Sequence, residues 1–243
     1  MATTVQCIRD IVATQPSAAA VLQQFEINLC KQGDISLEDA CAELQLSMEQ
    51  VLDKLESARA AATGSKLVDA SAMSLARLIQ HIVRAHHQFL RQELPRLEQL
   101  AAKIAAKHAD QLPNMPRISE LISNLRNDMF SHLEKEENIL FPYIAQLDED
   151  PLLACIPPQS CFQSVTQPVF MMVQEHELAE DIVDQIATLS HGFTAPEWGC
   201  TNMLAFFGSL RELQADLRRH VHLENEILFP KAIELERRLN TRN

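Results

Sequence analysis

His132-Leu-Glu-Lys-Glu136-Glu-Asn-Ile-Leu-Phe-Pro142 can be laid over His220-Val-His-Leu-Glu224-Asn-Glu-Ile-Leu-Phe-Pro230 at an offset of 88 residues. The His, the Glu and the run Ile-Leu-Phe-Pro coincide, and Asp128 matches Asp216 four residues upstream. Positions four apart stack on one face of an α-helix. Each copy can therefore aim an imidazole and a carboxylate at one point, with the Asp above placed to accept the other ring N–H of His132 or His220. The overlay also settles the register of the second copy. His222 and Glu226 form another His-x-x-x-Glu pair, rotated by about 200° from the first. Their counterparts Glu134 and Asn138 do not repeat it, so His220 and Glu224 are assigned to the shared face.

Working outward, His87 lies 45 residues before His132, and His176 lies 44 before His220. The chain reads as two copies of a helical hairpin, each giving one His from its first helix and a His-x-x-x-Glu from its second. Related by a pseudo-twofold axis, the copies bring His87, His132, Glu136, His176, His220 and Glu224 into one bundle core. Imidazoles with two carboxylates able to bridge suit a pair of non-haem iron ions. A single His-x-x-x-Glu on a helix is usually a solvated pair; two copies followed by the same apolar run are not. Leu140, Phe141, Leu228 and Phe229 are expected to seal the site, and Pro142 and Pro230 to end or kink their helices. His81, His86, His108 and His191 fall on other faces, too far along a helix, or in a loop, and are read as structural or exposed.

Four long helical patterns hold these residues: Ser71 to Lys107 with a kink expected at Pro95, Ile118 to Leu147, Pro168 to Leu189, and a last one ending near Arg238. A loop rich in Pro and Cys spans Asp148 to Ser164. An antiparallel four-helix bundle follows. Ahead of a boundary at Thr63-Gly64-Ser65 lie short helical segments, with capping-box-like starts at Ser36 and Ser47, the second the better fit. Cys30 to Asp34 reads as a turn. The expected division is a small helical domain over residues 1–62 and the bundle over 66–243. So small a domain has little core of its own and should lean on the rest of the chain or on a second subunit.

Composition agrees with an all-α fold: only 5 glycines, 47% hydrophobic residues, and Ala, Leu, Gln and Glu in excess. A net charge of −12 argues against nucleic acid or an anionic membrane as partner. The opening residues lack a secretory signal pattern and no stretch is apolar enough to span a membrane, which points to the cytoplasm. The six cysteines show no CxxC pair and are expected to be reduced thiols.

The set His87, His132-x-x-x-Glu136, His176 and His220-x-x-x-Glu224 resembles the RIC (repair of iron centres) or ScdA-like di-iron proteins, with their hemerythrin-like domain. Val83 to His87, Leu90 to Pro95, Lys135 to Pro142, Glu175-His176-Glu177 and His220 to Pro230 carry the likeness, which extends to Phe25 to Cys30 near the N-terminus. The resemblance implies a cytoplasmic bacterial protein with two iron ions, carboxylate- and oxo-bridged. It would restore iron–sulfur clusters damaged by nitrosative or oxidative stress by supplying iron, and bind or reduce nitric oxide. Damaged iron–sulfur proteins are the implied partners, O₂ and NO the small ligands, and a homodimer the implied association.

Two features depart from related patterns. Hemerythrins proper carry His-x-x-x-His on the third helix and His-x-x-x-x-Asp on the fourth, whereas position 180 here is Glu and the last acidic ligand is Glu224. The N-terminal motif commonly reads Cys-Cys-Gly-Gly, whereas this chain has Cys30-Lys31-Gln32-Gly33, a lone thiol that cannot form a vicinal pair. The rival to repair is a hemerythrin-like O₂- or NO-binding or sensing module, and a third class is simple retention of iron. The absence of any fused signalling segment counts against the sensor.

Overall fold

The computed structural model describes residues 6–63, 70–149, 162 and 164–241. The fold is all-α, a four-helix bundle preceded by short helices; among the described residues the sole β-type pairing is one antiparallel bridge between Cys7 and Ser36. The four short helices are α1 (Ile8–Thr14), α2 (Ala18–Gln24), α3 (Leu37–Glu43) and α4 (Met48–Thr63). Bundle helices follow as α5 (Leu75–Ile82), α6 (Gln88–His108), α7 (Met115–Lys135), α8 (Phe141–Glu149), α9 (Thr166–Leu189), α10 (Thr201–His222) and α11 (Phe229–Asn240). No described helix is long and apolar enough to cross a membrane. The sequence boundary at Gly64-Ser65 and nearly all of the Pro- and Cys-rich loop lie outside the described residues.

Two compact units divide the chain. The first gathers residues 1–66, 97–119 and 186–213. Its core packs Ile8, Ile11, Leu22, Ile27, Leu37 and Leu55 together with Ala205, so the short helices share a core with α10. Ser36 caps α3 by accepting from the N–H of Asp39 at 3.0 Å, and Ser47 caps α4 through Gln50 N–H at 3.4 Å. The better cap is thus the first, contrary to the sequence ranking: its three-residue spacing ends in Asp39, whose carboxylate also accepts from the Ser36 hydroxyl at 2.7 Å.

The second unit holds residues 67–96, 120–185 and 214–243. Leu78, Ile82, Ile144, Leu228, Phe229 and Ala232 form its apolar core. A buried carboxylate ties the start of α9 to α11. Glu236 accepts from Tyr143 Oη and Ser164 Oγ, each at 2.6 Å, and from the Val165 N–H at 2.9 Å. Three donors satisfy a group that burial would otherwise penalise.

Three π turns interrupt the long helices, at Val83–His87, Glu136–Leu140 and Leu223–Leu228, and each contains a candidate ligand. Such turns widen the backbone ring by one residue and recur at functional sites. Pro142 and Pro230 follow two of them and do not end their helices; α8 and α11 carry on through them. A proline removes one N–H and crowds the carbonyl four residues back. Those carbonyls belong to Asn138 and Glu226, inside the widened turns, where a standard α ladder is already given up. Pro95 likewise sits inside a continuous α6, and the departure from α geometry in that stretch falls at Val83–His87 instead.

Candidate metal centre

The structure brings His87, His132, Glu136, His176, His220 and Glu224 into one buried cluster within the second unit, each 0 or 1% exposed. His87 comes from the π turn ahead of α6, His132 from α7, His176 from the uninterrupted α9 and His220 from α10. The carboxylates lie in the other two π turns, Glu136 at the first position and Glu224 at the second. Imidazoles face one another in pairs: the Nε2 atoms of His87 and His220 are 3.2 Å apart, and those of His132 and His176 are 3.0 Å apart.

Both carboxylates reach across the pairs. Glu136 Oε2 lies 3.4 Å from Nε2 of His87 and of His132. Glu224 Oε1 lies 3.0 Å from His220 and 3.5 Å from His87, and its Oε2 lies 3.0 Å from His176. Two four-membered donor groups result, His87–Glu136–His220–Glu224 and His132–Glu136–His176–Glu224, with the glutamates common to both. His222 and Glu226 are exposed. Phe141 stacks on His87 and Phe229 on His176, with ring centroids 5.5 and 6.3 Å apart, closing the cluster with apolar surface.

The electrostatics are those of a charged cluster out of water. Burial pushes the Glu224 carboxyl up, but His220, His176 and His87 outweigh it and hold it well below the usual carboxylate range. Burial pulls His132 down, yet Glu136, Glu224 and Glu175 raise it to about 9. His87 is raised in the same way, burial being overcome by Glu224, Glu136 and Glu137. Despite these short approaches, none of the four carboxylate oxygens of Glu136 and Glu224 has a hydrogen bond of acceptable geometry. Buried, unbonded carboxylates are costly unless a cation meets them. Four imidazole nitrogens and two carboxylates of this kind form a donor set that suits non-haem iron.

The far ring nitrogens find partners that the sequence did not suggest. Nδ1 of His87 pairs with Glu137 at 2.8 Å, that of His132 with Glu175 at 2.9 Å and that of His176 with Asn225 at 2.9 Å. Asp128 is exposed, and Asp216 Oδ1 binds Nδ1 of His86 at 3.0 Å, so neither Asp orients its expected imidazole. The physical reason is direction. The Nδ1 edge of His132 meets Glu175 on α9 instead of the turn above it, and Nδ1 of His220 meets no hydrogen-bond partner. All three actual partners stand next to a proposed ligand on another helix: Glu137 beside Glu136, Glu175 beside His176 and Asn225 beside Glu224. That adjacency was a signal available in the sequence.

One further correction concerns the thiols. Cys30 is not alone: its Sγ lies 3.5 Å from Sγ of Cys200 in the first unit. The two cysteines are 170 residues apart along the chain, so no local motif marks the pair.

Helices, burial and donor chemistry together define a class: a cation-binding bundle lined by histidines and carboxylates. The profile of the hemerythrin HHE cation binding domain matches residues 78–232, and that of a domain of unknown function, DUF542 (ScdA_N), matches residues 4–59. Proteins described as iron-sulfur cluster repair protein YtfE from Salmonella paratyphi B, Salmonella newport and Salmonella heidelberg are each 32% identical to this chain over 230 residues, covering 94% of it and 96% of theirs. The chain belongs to the ScdA-like family of iron-centre repair proteins, with a hemerythrin-type domain.

Proposed function

We propose that this protein holds two iron ions and uses them to repair, or supply iron to, iron–sulfur centres damaged by nitrosative or oxidative stress. The observation that carries the metal reading is the four buried carboxylate oxygens left without hydrogen bonds among four converging imidazole nitrogens. His87 and His220 would hold one ion, His132 and His176 the other, and Glu136 and Glu224 would bridge them, with an oxo bridge completing the pair. When bound, iron supplies Lewis-acid and redox chemistry towards O₂ or NO. The chain's own part is to fix the imidazoles through Glu137, Glu175 and Asn225 and to keep bulk water off with Phe141 and Phe229.

Repair as the purpose rests on the relatives, which are named for iron–sulfur cluster repair. Damaged iron–sulfur proteins are then the partners, with NO bound or reduced at the same centre, in the cytoplasm, by a homodimer. Residues 1–62 are taken as a small helical domain and 66–243 as the bundle, a division supported by the two separate profile matches. The test is transfer. Iron-loaded protein mixed with an apo iron–sulfur acceptor should lose one iron per chain as the acceptor's cluster absorbance returns. Retention of both irons with reversible gas binding would favour the sensing module.

A further inference from the structure

Cys30 lies in the turn after α2, and Cys200 immediately precedes α10. Their sulfurs are 3.5 Å apart, with one thiol donating to the other. The turn around them is tied down on every side. Asn202 Nδ2 donates to Cys30 Sγ at 2.9 Å, and Arg9 Nη1 donates to the Gly199 carbonyl at 3.2 Å. A Cβ on Gly33 would come within 2.1 Å of Thr201 Oγ1, so the backbone there approaches the start of α10 as closely as glycine allows. Asn28 Oδ1 accepts from the N–H groups of Cys30 and Lys31 at 3.1 and 3.2 Å, fixing the turn that presents the thiol. Residues 199 to 202 thus each touch the N-terminal segment, and apart from the sulfur–sulfur contact and the Asn202 bond to Cys30 Sγ these contacts do not involve the thiols.

We propose that Cys30 and Cys200 form a redox-active dithiol that closes to a disulfide when it meets a peroxide. A disulfide needs sulfurs about 2.05 Å apart, so the two must approach by roughly 1.5 Å. Rotation about the Cα–Cβ bonds of two residues outside regular helix can supply that. Cys30 is exposed and Cys200 half-buried, which casts Cys30 as the sulfur that meets the oxidant and Cys200 as the one that resolves it. The Cys30 sulfur attacks one peroxide oxygen, the O–O bond breaks, and a sulfenic acid and a first water form. Cys200 then attacks that sulfur, the S–S bond forms, and the hydroxyl leaves with the remaining thiol proton as a second water. Two thiols lose two electrons and one peroxide becomes two waters. Burial, and then the neighbouring Cys200, raise the Cys30 thiol above its ordinary value, while Asn202 and Lys107 oppose that rise. Thiols that hold their protons firmly favour the disulfide over the dithiol at equilibrium.

The pair owes nothing to the iron reading, and its test does not use repair activity. The full-length iron-loaded protein is treated with a several-fold excess of hydrogen peroxide, enough for the two oxidations that sulfinic acid requires, and separately with a small-molecule disulfide that exchanges with thiols without oxidising iron. Alkylation and peptide mass mapping follow, with iron content measured alongside. The expected result in both arms is a Cys30–Cys200 linked peptide as the main cross-link, restored to free thiols by dithiothreitol. In Cys200→Ser, Cys30 should accumulate sulfinic acid under peroxide at least about tenfold more than in the wild type, because no resolving thiol remains. Equal sulfinic acid in the two proteins, or cross-links dominated by other cysteines, would overturn the proposal. Should Cys200→Ser lose its helical circular dichroism, the wild-type cross-link map alone decides the matter.

Discussion

The two hairpin copies meet in the same six proposed ligands, yet they differ just outside them. In the pseudo-twofold scheme Glu137 corresponds to Asn225, and Glu175 corresponds to His86. His87 and His132 therefore rest on carboxylates, and His176 rests on a neutral amide. His220 has no hydrogen-bond partner at Nδ1; the corresponding His86 lies parallel to it with ring centroids 5.9 Å apart and turns its own Nδ1 to Asp216. The backbone differs as well, for His87 sits in a π turn while His176 sits in unbroken α-helix. The lesson is that duplicating a helical hairpin reproduces what points inward along one helix. What surrounds each ring is set by its neighbours, and there the copies have parted. The two proposed metal positions are chemically unequal.

The largest expected effect would erase the comparison altogether. Glu136 and Glu224 each approach imidazoles of both pairs, so Glu136→Ala or Glu224→Ala should abolish iron at both positions. Metal analysis of purified protein should show two irons per chain in the wild type and in the exposed control His222→Ala, and close to none in either Glu variant. One iron retained in a Glu variant would mean the carboxylates do not bridge.

Next come the partners. Glu137→Gln and Glu175→Gln keep shape but remove charge behind one imidazole of each pair, and loss of such a partner costs ~10–100-fold in metal affinity. Titration with ferrous iron should show one weakened position in each variant, a different one in each. Asp128→Asn should leave both unchanged, since that residue is exposed.

These contrasts also mark how far the sequence could be read. The His-x-x-x-Glu repeat marks four of the six residues, because the periodicity of a helix is local and each copy supports the other, and the matching spacings of 45 and 44 residues add His87 and His176. The π turns were hidden: the prolines signalled an interruption, but whether a helix ends or widens depends on what packs against it. Partners such as Glu175 were hidden for another reason. They come from adjacent helices, whereas the periodicity of a single helix face points to Asp128 and Asp216. The Cys30–Cys200 contact depends on the docking of the N-terminal segment on α10, which no local pattern encodes.

Acidity provides a third handle, smaller per unit of pH. In the metal-free protein His132 is raised from 6.5 to about 9. A group raised on folding stabilises the native state fully below its unfolded value, and that contribution is lost as pH rises through the folded value. Metal-free protein should therefore lose stability between pH 6.5 and 9. Iron must displace the same proton, so its affinity should climb over that window by up to about tenfold per pH unit and level off above it. Thermal melts of metal-free protein and iron titrations, both run across the window, should move in opposite directions. If stability and affinity rose together, the proton on His132 would not be the group in competition.

The smallest effect is the sharpest probe of the inequality. Asn225→Asp would give His176 the charged partner that His87 and His132 already have, at an existing contact of 2.9 Å. A charge-assisted hydrogen bond is roughly twice as strong as a neutral one, so the gross gain is about 1 kcal/mol. Part of it is lost again. The added carboxylate stands next to Glu224 and stabilises a proton on His176 as well as a metal, so the net gain in affinity should be a fewfold at the position shared with His132. Asn225→Ala supplies the opposite sign, weakening that position while sparing the one built on His87 and His220. Competition against a chelator of known affinity resolves changes of this size. If the Asp and Ala variants weakened iron binding equally, the amide would be acting through its shape and its own donor group, and the second hairpin would have settled on a neutral partner for geometric fit.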